Sequence, residues 1–173
     1  MSPDPRWRSA NLGLGGNIGD PRANMANALS MLDERQDCRV VKVSRLYRTP
    51  PWGKTDQDWF FNSCALIETT MEPQALLKLC LEIERAMKRE RIIRWGPRTL
   101  DIDILTFEGV TSDDETLLLP HPRISERAFV LMPLVDYAPE TQIGGIAAAD
   151  LLKGLDVEGI EAVSSDGAWW REG

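Results

Sequence analysis

Residues 39–69 read RVVKVSRLYRTPPWGKTDQDWFFNSCALIET, and the fold turns on how this stretch divides. Over 39–48, Val41, Val43, Arg45 and Tyr47 alternate with Val40, Lys42, Ser44 and Leu46. A period of two predicts a strand. Residues 49–58 hold two prolines, a glycine and three charged side chains, which predicts an exposed loop. Residues 59–69 form a second strand, paired with the first as a hairpin across that loop. The hairpin is the centre from which the rest is read.

Upstream, residues 8–15 are a short strand candidate, weakened by Asn11 and Gly13. Asp20-Pro21 then reads as an N-cap and first helical position. Met25, Ala28, Leu29 and Leu32 fall on one face of a helix running to about residue 35. Downstream, Pro73 opens a helix whose apolar face is Leu76, Cys80, Ile83 and Met87, and Gly96-Pro97 forces its end. Residues 100–107 are a strand, followed by an acidic turn at 112–115 and a short apolar run at 117–119. Residues 128–135 are helical, and a weak helix lies around 147–153. The order β-α-β-β-α-β predicts an α+β, ferredoxin-like fold. It has an antiparallel sheet with its two crossover helices on one face, plus C-terminal additions. One domain spans 1–173, with a core at about 8–140 and an acidic extension at 141–173. Such a fold hosts many functions and decides none.

The 173 residues carry 20 Lys+Arg against 27 Asp+Glu, a net charge of -7, and 43% are apolar. That composition excludes a disordered chain. It also argues against nucleic acid and anionic membrane as partners, since both require positive charge. No 18-residue apolar stretch exists, and MSPDPRWRSANLG lacks the apolar core of a signal peptide. Three cysteines (Cys38, Cys64, Cys80) without a C-x-x-C pair read as buried free thiols. A cytoplasmic protein is expected.

Asp101 and Asp103 share one face of their strand, with Ile102 and Ile104 on the other. Adjacent like charges persist in a strand if a hard cation bridges them or if the strand is an exposed edge. Both readings stay open on the pair alone. Just upstream, 84–98 holds six basic and two acidic residues, a net of +4 that leaves -11 elsewhere. Arg85 and Lys88 read as a solvated helix end. Arg89, Arg91, Arg94 and Arg98, with Trp95, lie beyond helical spacing and read as an anion-binding loop. His121, between two prolines, is either a phosphate or proton-transfer group or merely exposed. Phe60 and Asn62 share a face on which a flat heterocycle could stack and hydrogen-bond, while Phe61 points to the core. Gly13-Leu14-Gly15-Gly16-Asn17-Ile18-Gly19 fails the dinucleotide spacing and reads as a tight turn in a ligand pocket.

Together Leu14-Gly15-Gly16-Asn17-Ile18-Gly19-Asp20, Tyr47-Arg48-Thr49-Pro50-Pro51, Phe60-Phe61-Asn62, the run RWGPRTLDIDI at 94–104 and Pro120-His121-Pro122-Arg123 resemble the 6-hydroxymethyl-7,8-dihydropterin pyrophosphokinases of folate biosynthesis. The resemblance covers roughly residues 8–140. It implies transfer of the β,γ-diphosphate of ATP to the hydroxymethyl group of a dihydropterin, releasing AMP. By the same resemblance, Asp101 and Asp103 are ligands of two Mg²⁺ ions. Asn62 bonds the pterin edge between Phe60 and Phe129, and Thr49, Pro50, Trp52 and Trp95 complete that pocket. Glu84, Arg89, Arg91, Trp95, Arg98, Ile104, His121 and Arg127 form the ATP set, with Arg91, Arg98 and His121 catalytic. The two small molecules are the expected partners, with no nucleic acid or membrane. The expected state is a monomer, with a dimer left open. Gly16, Lys88 and Phe60 stand where the family usually has Ser, Gly and Tyr.

Rival readings are an RNA-recognition module, another Mg-dependent transferase, or a silent pterin binder. The acidic balance, the missing RNA-binding signature and the intact Asp pair weigh against the first and last.

Overall fold

The computed structural model describes residues 6–17, 19–50, 59–88 and 100–171. Strand β1 (Arg8–Gly16) leads into helix α1 (Pro21–Asp33), then β2 (Cys38–Val43), β3 (Tyr47–Thr49) and β4 (Phe60–Thr69). Helix α2 (Pro73–Lys88) and β5 (Asp101–Phe107) complete the core order. The hairpin of β6 (Ser112–Asp114) and β7 (Leu117–Leu119) follows, then α3 (Ala128–Val135). The chain closes with β8 (Gln142–Ile143), β9 (Ile146–Ala147), α4 (Ala148–Lys153) and β10 (Glu161–Ala162).

Among the described residues the main sheet runs β10-β3-β4-β1-β5, with β2 also paired to β4, and every pairing is antiparallel. This is the expected ferredoxin-like α+β arrangement with C-terminal additions. The Asp20 carboxylate accepts the Ala23 N–H at 3.1 Å, so the N-cap read from Asp20-Pro21 is real. Met25, Ala28, Leu29 and Leu32 of α1 and Leu76, Cys80 and Ile83 of α2 are buried in one cluster with Leu12, Leu14, Ala65, Ile67, Ile102 and Ile104. Both crossover helices thus cover one face of the sheet. The opposite face is covered only in part: Leu131 and Leu134 of α3 and Ala148 of α4 pack on Cys64 and Leu105. Among the described residues nothing covers that face where α3 stops short.

One strand is corrected. Residues 39–48 are two strands with a break at Ser44-Arg45-Leu46, a kink held by hydrogen bonds to β4 and to Asp136. Ser44 donates its N–H to Cys64 O at 2.9 Å, and its hydroxyl accepts the Cys64 N–H at 2.9 Å and meets the Ser63 hydroxyl at 2.8 Å. The Asp136 carboxylate, at the end of α3, accepts from Arg45 N, Nε and Nη2 at 3.0–3.1 Å and from the Tyr47 hydroxyl at 2.6 Å. Each buried backbone group of the kink finds a partner, as it must. The register of β2 on β4 also slips between Val40 and Lys42, which ends the alternation predicted there.

The acidic tail joins this structure. Trp169 and Trp170 are 1% and 7% exposed within the helix-side core, and Trp169 Nε1 donates to Ser44 O at 2.9 Å. A Cβ on Gly167 would overlap the Val43 carbonyl, so only glycine lets the tail lie this close. The three cysteines are free and buried, as expected.

Candidate active site

The open part of the sheet face is a cavity of about 690 Å³, within the range of small-molecule sites. Its floor follows from strand register. Gly15 of β1 stands opposite Asn62 of β4 on one side and Asp101 of β5 on the other. One row along, Gly13 stands between Cys64 and Asp103. With side chains alternating along each strand, these rows place Asn62 and the two aspartates on one face, across glycines that raise nothing between them. A Cβ on Gly15 would meet the Asn62 amide oxygen at 2.7 Å. The amide therefore leans over the glycine.

Asp101 is half-buried and Asp103 exposed, and both line the cavity. Among the described residues β5 is also the sheet edge, as the exposed-edge reading of the pair has it. Glu84, read as part of the ATP set, accepts the Ile102 N–H at 2.7 Å and so secures the strand segment between the two aspartates. Ile104 is 3% exposed in the helix-side core, and its side chain does not line the cavity. Only its backbone is left for a ligand.

His121 follows β7, and its N–H donates to Leu105 O at 2.9 Å, which holds the loop against β5. Burial pushes its pKa below the ordinary value. Asp103 opposes that shift, while Arg127 and Arg123 add to it. Its Nδ1 accepts the Arg123 N–H at 3.3 Å, which leaves the proton of the neutral ring on Nε2.

At the far end, Phe60 is 37% exposed, while Phe61 packs against the core, as read from their alternation. Phe60, Thr49, Pro50, Phe129 and Arg127 line the same cavity as Asn62. The Arg127 guanidinium stands 5.8 Å from the Phe129 ring centre. The Thr49 hydroxyl is buried with no partner among the described residues. Trp52, Arg89, Arg91, Arg94, Trp95 and Arg98 lie outside the described residues. Cys64 and Leu105 also line the cavity and were not singled out from sequence. Each lies two residues beyond a named one, Asn62 and Asp103, so strand period was the signal that could have found them.

Among the described residues no three His, Cys, Asp or Glu side chains cluster to hold a metal alone. Two carboxylates from one strand, in an open cavity, match the donor set of a hard cation completed by a substrate's oxygens.

A ferredoxin-like sheet with aromatic, amide and carboxylate groups on its open face defines a small-molecule enzyme domain. The sequence places it within that class: the family model for 7,8-dihydro-6-hydroxymethylpterin-pyrophosphokinase matches residues 11–139, and the chain belongs to this family. Its reaction is pyrophosphoryl transfer from ATP to hydroxymethyldihydropterin in folate biosynthesis. A 2-amino-4-hydroxy-6-hydroxymethyldihydropteridine pyrophosphokinase of Methylorubrum extorquens is 52% identical over 154 residues, 89% of this chain and 98% of that one. The protein of that name from Bacillus subtilis is 39% identical, over 86% of this chain and 89% of its own. The fold is shared with a solved Plasmodium falciparum HPPK-DHPS bound to pteroate, at TM-score 0.70 and 17% identity, over 88% of this chain and 45% of that one.

Proposed function

We propose that the cavity on the open sheet face is where this transfer occurs, with the pterin at the Phe60–Asn62 end and the ATP phosphates at the Asp101–Asp103 end. The observation that carries the reading is the row Asn62–Gly15–Asp101. It puts an amide and a charge-bearing carboxylate on the two strands that flank β1, on one floor. Asn62 bonds the pterin edge, Phe60 and Phe129 stack on its faces, and Thr49, Pro50, Trp52 and Trp95 close the pocket. Glu84, Arg89, Arg91, Arg98, Ile104, His121 and Arg127 serve the nucleotide.

Asp101 and Asp103 would hold two Mg²⁺ ions, which when bound offset phosphate charge and polarise the β-phosphorus. The hydroxymethyl oxygen attacks that phosphorus, the bridging oxygen to the α-phosphorus departs with AMP, and the hydroxyl proton passes to water. Such a displacement needs alignment and charge balance more than a strong base. Arg127 supplies fixed positive charge. His121, neutral near pH 7, is suited to donate Nε2–H to a phosphate oxygen. Asn62 and the stacked rings fix where the hydroxyl starts. No helix of the described residues is long and apolar enough to cross a membrane. With three unpaired thiols, a cytoplasmic monomer is the setting we propose.

Incubation with ATP, Mg²⁺ and 6-hydroxymethyl-7,8-dihydropterin tests the reading. AMP should form in step with pterin consumed; ADP, or turnover that ignores the pterin, would contradict it.

A further inference from the structure

We propose that the C-terminal segment 157–164 is a positioning element for the pterin end of the cavity, fixing where Thr49 and Pro50 lie. The proposal rests on the reading of the cavity given above. β3 is three residues long and leads directly into Pro50. On one side it pairs with β4 and on the other with β10, with Glu161 opposite Arg48 and Ala162 opposite Tyr47. The pairing is extended by Val163 N–H to Leu46 O at 2.8 Å and by Leu46 N–H to the Ser164 hydroxyl at 2.9 Å. Arg48 adds an ion pair to Glu161 at 2.8 Å. Without this segment β3 would be a short edge strand held by β4 alone.

The segment also touches the pocket wall. Ile160 is buried with Tyr47 and Ala128, and Phe129 packs against that cluster, so one side chain ties β3 to the start of α3. Just before it, Ile160 N–H bonds Val157 O at 3.2 Å across a turn in which Gly159 has φ +86°, the geometry glycine allows at a type II corner. A Cβ on Gly159 would stand 3.1 Å from Pro50 Cγ and 3.2 Å from Cδ. The bare backbone of the turn is thus a stop for the Pro50 ring, whose other side lines the cavity. A tail whose only role was to cap the core with Trp169 and Trp170 would not require this contact.

Gly145 supplies the control. It also has φ +86°, but nothing lies within 4 Å of where its Cβ would stand. Gly145→Ala therefore places an alanine at the same positive φ without touching the pocket. The purified full-length variants are compared by thermal melting and by separate KM values for the pterin and for ATP in the AMP assay. Gly159→Ala should raise the pterin KM on the order of tenfold with the ATP KM unchanged, while Gly145→Ala moves neither. Ile160→Ala should show the same split, and Ile160→Val should restore it; this pair decides the matter if Gly159→Ala does not fold. Equal effects on both KM values, or no difference between the two alanine variants, would overturn the proposal. A wild-type enzyme without pterin-dependent AMP release would instead overturn the reading of the cavity on which it rests.

Discussion

Gly15 and Asn62 face each other across β1 and β4, and a methyl group on the glycine would lie 2.7 Å from the Asn62 amide oxygen. The group that must move is the tip of a flexible side chain, not backbone, and Gly15 has no positive φ to strain. Gly15→Ala should therefore leave the melting temperature nearly unchanged. Its pterin KM should rise by about ten- to a hundredfold, because the amide is pushed from its place. A destabilised protein with an unchanged pterin KM would show that the glycine serves packing alone.

The Asp136 carboxylate joins the end of α3 to the kink between β2 and β3. Burial alone would raise its pKa, but the bonds from Arg45 and Tyr47 outweigh burial and hold it below the usual carboxylate value. A group depressed in the folded state stabilises above its unfolded pKa of about 3.9 and loses that contribution as pH falls through the lower folded value. Asp136→Asn should cost about 1–3 kcal/mol at pH 7, and the gap to wild type should close in acid. Urea titrations between neutral and acid pH measure it. A gap that widened on acidification would contradict the assignment.

Trp169, 1% exposed, donates its indole N–H to Ser44 O. Trp169→Phe keeps much of the volume and strands the carbonyl, for an expected loss of about 1–3 kcal/mol. Trp169→Ala adds a cavity and should cost about 3–5 kcal/mol. Equilibrium unfolding reads both, and an alanine variant as stable as wild type would show that the tail does not complete the core.

Much of this was legible in the chain. Period two put Asp101 and Asp103 on one face and separated Phe60 from Phe61, and it survives because β4 and β5 are regular there. The helix faces of α1 and α2 were legible for the same reason. The break at Ser44-Arg45-Leu46 was not, because its causes lie far along the chain. They are a hydroxyl bridging to β4 and a carboxylate ninety-one residues away. The tail was opaque because β10 has two residues and Trp169 sits in a single 3₁₀ turn, too short for any period to register. Glu84 was read toward the nucleotide, and its bond to Ile102 N–H depends on a helix-to-edge approach that spacing does not encode.

The central claim is that the carboxylates on β5 serve the diphosphate transfer. Asp103 is exposed, so Asp103→Asn changes charge with little cost to the fold. Pterin-dependent AMP release by this variant, measured beside its melting curve, is the most direct test. Turnover should fall by about a thousandfold at an unchanged melting temperature. Turnover close to wild type would contradict the account.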